Sequence, residues 1–196
     1  MKPRPVERLE KTLARVAKEQ GVAQERLRRW VSFLALCGVL ERAVSKGILA
    51  SYDLKGGVAL ELRFAEGARA TKDIAIGVPV ERTKRLRTLQ DAVALGFDDF
   101  TLFLRRKPLN KDKVDAVRLE LDIRYQTRAW QTIDIDLGPS GQGAVELVMP
   151  TIRGLAAMGL RVSSPVRCLN LSVEDADLTE VATLEGPEPG GERGFL

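Results

Sequence analysis

The sequence predicts an α/β (α+β) fold, a mixed sheet flanked by helices and preceded by a helical segment. Three observations carry that expectation. Apolar residues recur at helical spacing from about residue 5 to residue 45, strict alternation takes over between residues 100 and 137, and a continuous apolar run, Ile74 to Val80, lies between two helical stretches. The expected division is a helical segment over 1–48, a core over 49–185 and a flexible tail over 186–196.

The elements follow in order. Val6, Leu9, Leu13 and Val16 place a helix over 5–19, which Gly21 interrupts. Leu27, Trp30, Phe33 or Leu34, Cys37, Leu40 and Val44 form the stripe of a second helix, Gln24 to Ser45, with Gly47 as its stop. That stripe reads as core packing. A short strand, Ser51 to Leu54, then leads through Lys55-Gly56-Gly57 into a helix. Ile74 to Val80 reads as a buried strand and Glu81 to Ala94 as a basic helix. Phe100 to Arg105, Val114 to Tyr125 and Trp130 to Leu137 read as strands. In the second of these, Val117, Leu119, Leu121 and Ile123 fall on one face and Arg118, Glu120, Asp122 and Arg124 on the other. Pro139 to Gly143 reads as a turn, Ile152 to Met158 as a short helix, Val166 to Leu169 as a strand and Ser172 to Leu184 as a last helix.

Composition excludes several function classes. The 196 residues are 44% hydrophobic, enough for a real core, which argues against disorder. No apolar run approaches the roughly 20 residues of a membrane helix, and the N-terminal stretch has no secretory h-region. There is no histidine, which removes His-based catalysis and leaves little from which to build a zinc site. Cys37 and Cys168 do not form a disulfide framework and suit a reducing cytoplasm as buried apolar groups. The net charge of +4 is uneven: residues 1–29 hold nine Lys/Arg against four Asp/Glu, and residues 171–196 hold seven Asp/Glu against one Arg. The basic segment is either a solvated helix face or an attractor of phosphate backbones, as in a helical nucleic-acid-binding module.

Three features bear on chemistry. Gly56-Gly57 precedes a helix, where glycine lets the backbone approach a phosphate and the free N–H groups face the anion. By itself a Gly-Gly pair also serves as a plain turn. Asp73 heads the apolar strand after Arg69, Thr71 and Lys72. In Thr132-Ile-Asp-Ile-Asp-Leu-Gly138, Asp134 and Asp136 share one strand face, and two such carboxylates can aim at one Mg²⁺ or simply line an exposed face. Lys55 and Arg69 are each either phosphate contacts or solvated cations, and Thr71 reads as a turn or cap residue.

Leu54-Lys-Gly-Gly-Val-Ala-Leu60 followed by Arg69-Ala-Thr-Lys-Asp-Ile-Ala75 resembles a known signature, Lys-Gly-Gly-Thr-Ala-Leu and then Arg-x-Thr-x-Asp-x-Asp. It belongs to the AbiEii/AbiGii nucleotidyltransferase toxins of type IV toxin–antitoxin systems. The resemblance runs from near Leu27 to about Leu171 and includes Asp136-Leu137-Gly138. It implies that the Gly56-Gly57 turn holds the triphosphate and that Asp73 and Asp136 hold Mg²⁺ and are catalytic; Asp134 is the candidate to replace a lost metal ligand, and Lys55 and Arg69 are the candidate nucleotide contacts beside the turn. It also implies a nucleoside triphosphate substrate, an RNA acceptor such as tRNA, a cognate antitoxin and no membrane. A catalytic pair built this way requires the Ile74 to Val80 strand to lie beside Trp130 to Leu137. The departures are equally specific. Ala75 stands where the second Asp of Asp-x-Asp is expected, Val58 replaces the hydroxyl residue, and Glu180 falls near the position of an expected Lys. The pattern resembles a shortened or degenerate member, so a catalytically impaired remnant that binds nucleotide or a partner is the alternative to a working transferase.

Overall fold

The computed structural model describes residues 6–64, 70–110, 115–150 and 165–169. Among these, the elements in chain order are α1 (Val6–Gln20), α2 (Gln24–Ser45), β1 (Asp53–Lys55), α3 (Gly56–Phe64), β2 (Asp73–Val78), α4 (Arg82–Val93), β3 (Phe100–Asn110), β4 (Val117–Tyr125), β5 (Arg128–Pro139), β6 (Val145–Val148) and β7 (Val166–Leu169). The strands form one mixed sheet in the order β3-β4-β5-β2-β1-β7-β6. Four pairings are antiparallel, and two, β2 with β5 and β1 with β7, are parallel.

The long helix α2 is the centre of the core. From Trp30 to Leu40 every residue is buried, because α2 packs against α1, α4 and β5. An apolar surface all round is what a helix enclosed by other elements requires. The sheet supplies the other side: Ile74, Ile76, Leu119, Leu121, Ile123, Ile133, Ile135 and Leu137 are all buried. The intervening residues of β2, β4 and β5 are partly exposed, so this sheet has one covered face and one open face.

Two polar assemblies tie the helices to the sheet. Glu61 of α3, only 1% exposed, accepts hydrogen bonds from Arg26 Nε (3.1 Å), Trp30 Nε1 (3.2 Å) and the Thr71 backbone N–H (3.1 Å). Arg85 of α4 donates to the carbonyls of Val80 (2.9 Å) and Asp115 (3.0 Å) and to the Asp115 carboxylate (3.0 Å). This pairing holds the exposed Asp115 carboxyl below its ordinary value, the Arg85 hydrogen bond being the main cause.

The helices over 5–19 and 24–45 and the sheet core follow the sequence pattern closely. The differences are local. The first strand is Asp53–Lys55, shifted towards the glycines; β3 and β5 extend beyond their expected ends, whereas β4 begins at Val117 and not at the expected Val114. After the expected turn at 139–143 comes a further strand, β6, which pairs antiparallel with β7 at the sheet edge. Its four residues, Val145-Glu146-Leu147-Val148, with Val145 and Leu147 exposed, are too few to stand out in the sequence. The helices expected over Ile152 to Met158 and Ser172 to Leu184, the flexible tail, and Arg69 lie outside the described residues.

Candidate functional site on the open sheet face

The site begins where β1 turns into α3. Gly56 has φ +62°, a conformation that side chains rarely adopt, and it lets the chain leave β1 directly into the helix. At Gly57 a Cβ would come within 2.9 Å of Thr71 Cβ, so the segment before β2 packs straight onto backbone. Thr71 is held there by its N–H to Glu61 and by Arg29 Nη1 on its carbonyl (2.9 Å). Its hydroxyl reaches Asp73 Oδ1 at 3.1 Å. Thr71 therefore orients a candidate catalytic carboxylate, a role beyond the turn or cap expected of it.

Parallel pairing then sets Asp73 beside Asp134 and Ala75 beside Asp136. Laterally neighbouring residues share a face, so Asp73, Asp134 and Asp136 stand together on the open side. The required adjacency of the second strand and Trp130 to Leu137 is present. On the other flank of β2, Lys55 pairs with Ala75 and Asp53 with Gly77. Gly77 has no room for a side chain, since a Cβ would sit 2.3 Å from Asp53 Oδ2. Lys55 Nζ donates to the Pro139 carbonyl at 2.6 Å and lies 3.6 Å from Asp53 Oδ2, so this lysine is anchored and only partly exposed.

The residue that sequence reasoning passed over is Arg118. In the β4–β5 hairpin it lies directly opposite Asp136. Its Nη2 donates to Asp73 Oδ2 (3.2 Å) and Asp134 Oδ2 (3.3 Å), and its Nε lies 3.9 Å from Asp136 Oδ1. One guanidinium thus hydrogen-bonds two of the candidate metal carboxylates and lies within ion-pair range of the third. The signal was latent. Counting back from the pair Tyr125 and Arg128 would set Arg118 opposite Ile135, against the alternation of both strands. A bulge, where pairing passes from Arg124↔Ala129 to Ile123↔Gln131, shifts the register by one and restores polar opposite polar. The same bulge turns Trp130 inward, where it is 4% exposed and donates to Ser32 Oγ at 3.0 Å.

No family model matches the chain, and no curated protein matches it. Among solved structures, it is similar to MenT4, a nucleotidyltransferase toxin from Mycobacterium tuberculosis H37Rv. The TM-score is 0.60 at 14% identity, over 87% of this chain and 58% of that one. The fold is thus a mixed α/β fold similar to that of a nucleotidyltransferase toxin, and the chain spans 58% of the toxin's length.

Proposed function

We propose that this chain is a toxin-like nucleotidyltransferase-fold protein that takes a nucleoside triphosphate on its open sheet face and transfers nucleotide to an RNA acceptor very slowly or not at all. The observation that carries this reading is the register that gathers Asp73, Asp134 and Asp136 beside the Gly56-Gly57 turn while leaving Ala75 next to Asp136. The backbone N–H groups at the start of α3 supply contacts for the phosphates, and they do not depend on residue 75. The AbiEii/AbiGii type, a tRNA-like acceptor, a cognate antitoxin and a cytoplasmic setting belong to the same proposal. No described helix is long and apolar enough to cross a membrane.

Mg²⁺ would look for oxygen ligands at Asp73, Asp134 and Asp136. As arranged, these residues do not fit it. Arg118 hydrogen-bonds oxygens of Asp73 and Asp134 and lies within ion-pair range of Asp136, Ala75 offers no ligand, and no group of three or more His, Cys, Asp or Glu among the described residues is disposed to hold a metal ion. A working transferase is the second reading. It is favoured by Asp134, which stands in register with Asp73 and brings an extra carboxylate to the group.

Calorimetry with each of the four ribonucleoside triphosphates, with and without Mg²⁺, tests binding, and weak heat with at least one is expected. No heat from folded protein with any of them would remove the nucleotide reading. Labelled-nucleotide incorporation into bulk tRNA tests turnover in the unmodified protein, Ala75→Asp and Asp73→Ala. Little or none is expected from the unmodified protein. Robust incorporation that Asp73→Ala abolishes would establish the working transferase instead.

A further inference from the structure

We propose that Arg118 is a resident cation, whose guanidinium takes the position of a divalent metal among Asp73, Asp134 and Asp136 and keeps such an ion out. The inference rests on side-chain geometry alone and does not require that nucleotide bind.

Three carboxylates on adjacent strand positions of one face repel one another unless a cation lies among them. Arg118 meets that need from the directly opposing position of β4, through Nη2 to two of the carboxylates and through the nearby Nε to the third. A guanidinium suits this task, being planar, always charged and able to donate five hydrogen bonds in a fixed fork. A divalent ion would need the same carboxylate oxygens and would sit against a permanent positive charge. Arg118 is about one-third exposed, so its bonds are screened by water and their contribution to stability is modest. Its larger consequence is competition for ligands.

Ala75 and Arg118 therefore restrict metal binding in separable ways. Ala75→Asp would add a carboxylate but leave the guanidinium in place. Arg118→Gln would remove the cation and leave a shorter, neutral polar side chain. Arg118→Lys would keep the charge.

The test is titration of Mn²⁺ alone, followed by calorimetry and by the electron paramagnetic resonance signal of free Mn²⁺, with circular dichroism confirming the fold. The wild type and Arg118→Lys should give no saturable binding at the site. Arg118→Gln should bind Mn²⁺ at least about tenfold more tightly than the wild type, a modest gain for removing a cation that touches the ligands. Arg118→Gln combined with Asp134→Asn should lose that gain. A folded Arg118→Gln that binds no more tightly than wild type overturns the proposal. The wild type also tests it by itself should the variant not fold. Mn²⁺ broadening of the Asp73, Asp134 and Asp136 carboxyl resonances, with release of the Arg118 Nε–H, would likewise overturn it.

Discussion

On β5, Ile133, Ile135 and Leu137 are buried beneath the helices, while the alternating Thr132, Asp134 and Asp136 stand on the opposite face and retain contact with solvent. The two faces share the same backbone bonds but depend on different physics. The covered face is close-packed, so its residues contribute to stability through lost contact with water and through filled volume. The open face is held by ion pairs in partial contact with water, where net contributions are small. Residues one position apart should therefore respond to substitution very unequally, and the candidate site lies on the face that contributes less to stability.

The largest effect should come from the polar hub beneath the covered face. Glu61→Ala would leave the Arg26 guanidinium, the Trp30 N–H and the Thr71 N–H facing an empty site, at a cost of about 3–5 kcal/mol. Urea denaturation measures it, and a loss below about 1 kcal/mol would show that the hub is hydrated.

On β5 itself, Ile135→Ala should cost about 2–5 kcal/mol, whereas Asp134→Asn, its neighbour, should change stability by no more than about 1 kcal/mol. Comparable losses from both would erase the distinction between the faces.

Between these lies a pH effect on the covered side. Burial pushes the Cys168 thiol from 9.0 up to about 11, opposed by the Arg63 charge, and raises Cys37 in the same direction. The fold therefore holds both as neutral thiols, while the unfolded chain ionises near the ordinary value. That contribution is complete below pH 9.0 and is lost as the pH rises towards about 11. For Cys168 the loss should be about 2–3 kcal/mol. Thermal denaturation across this window should reveal it, and Cys168→Val should flatten the dependence.

Much of the fold was legible because it follows from periodicity. The stripe of α2, the alternation of β4 and the apolar run of β2 each have one low-energy way to bury their apolar atoms. The aspartates were legible as a group because the spacing of Asp134 and Asp136 sets them on one face whatever else happens. The edge strand β6 was not, since four residues carry too little pattern to separate a strand from a loop.

The sequence by itself determined which residues face inward, because hydrophobic burial depends on local spacing and is decided within each element. It also determined the glycine turn, since at Gly56 only a residue without a side chain adopts the left-handed backbone without strain. Only the tertiary structure decided which polar residues meet across strands. That depends on register, and here the register rests on a bulge beside Trp130, where a large side chain had to turn inward to reach Ser32 and the helices. A shift of one residue there moved Arg118 from opposite Ile135 to opposite Asp136, because in a sheet a single extra residue exchanges the faces of everything beyond it.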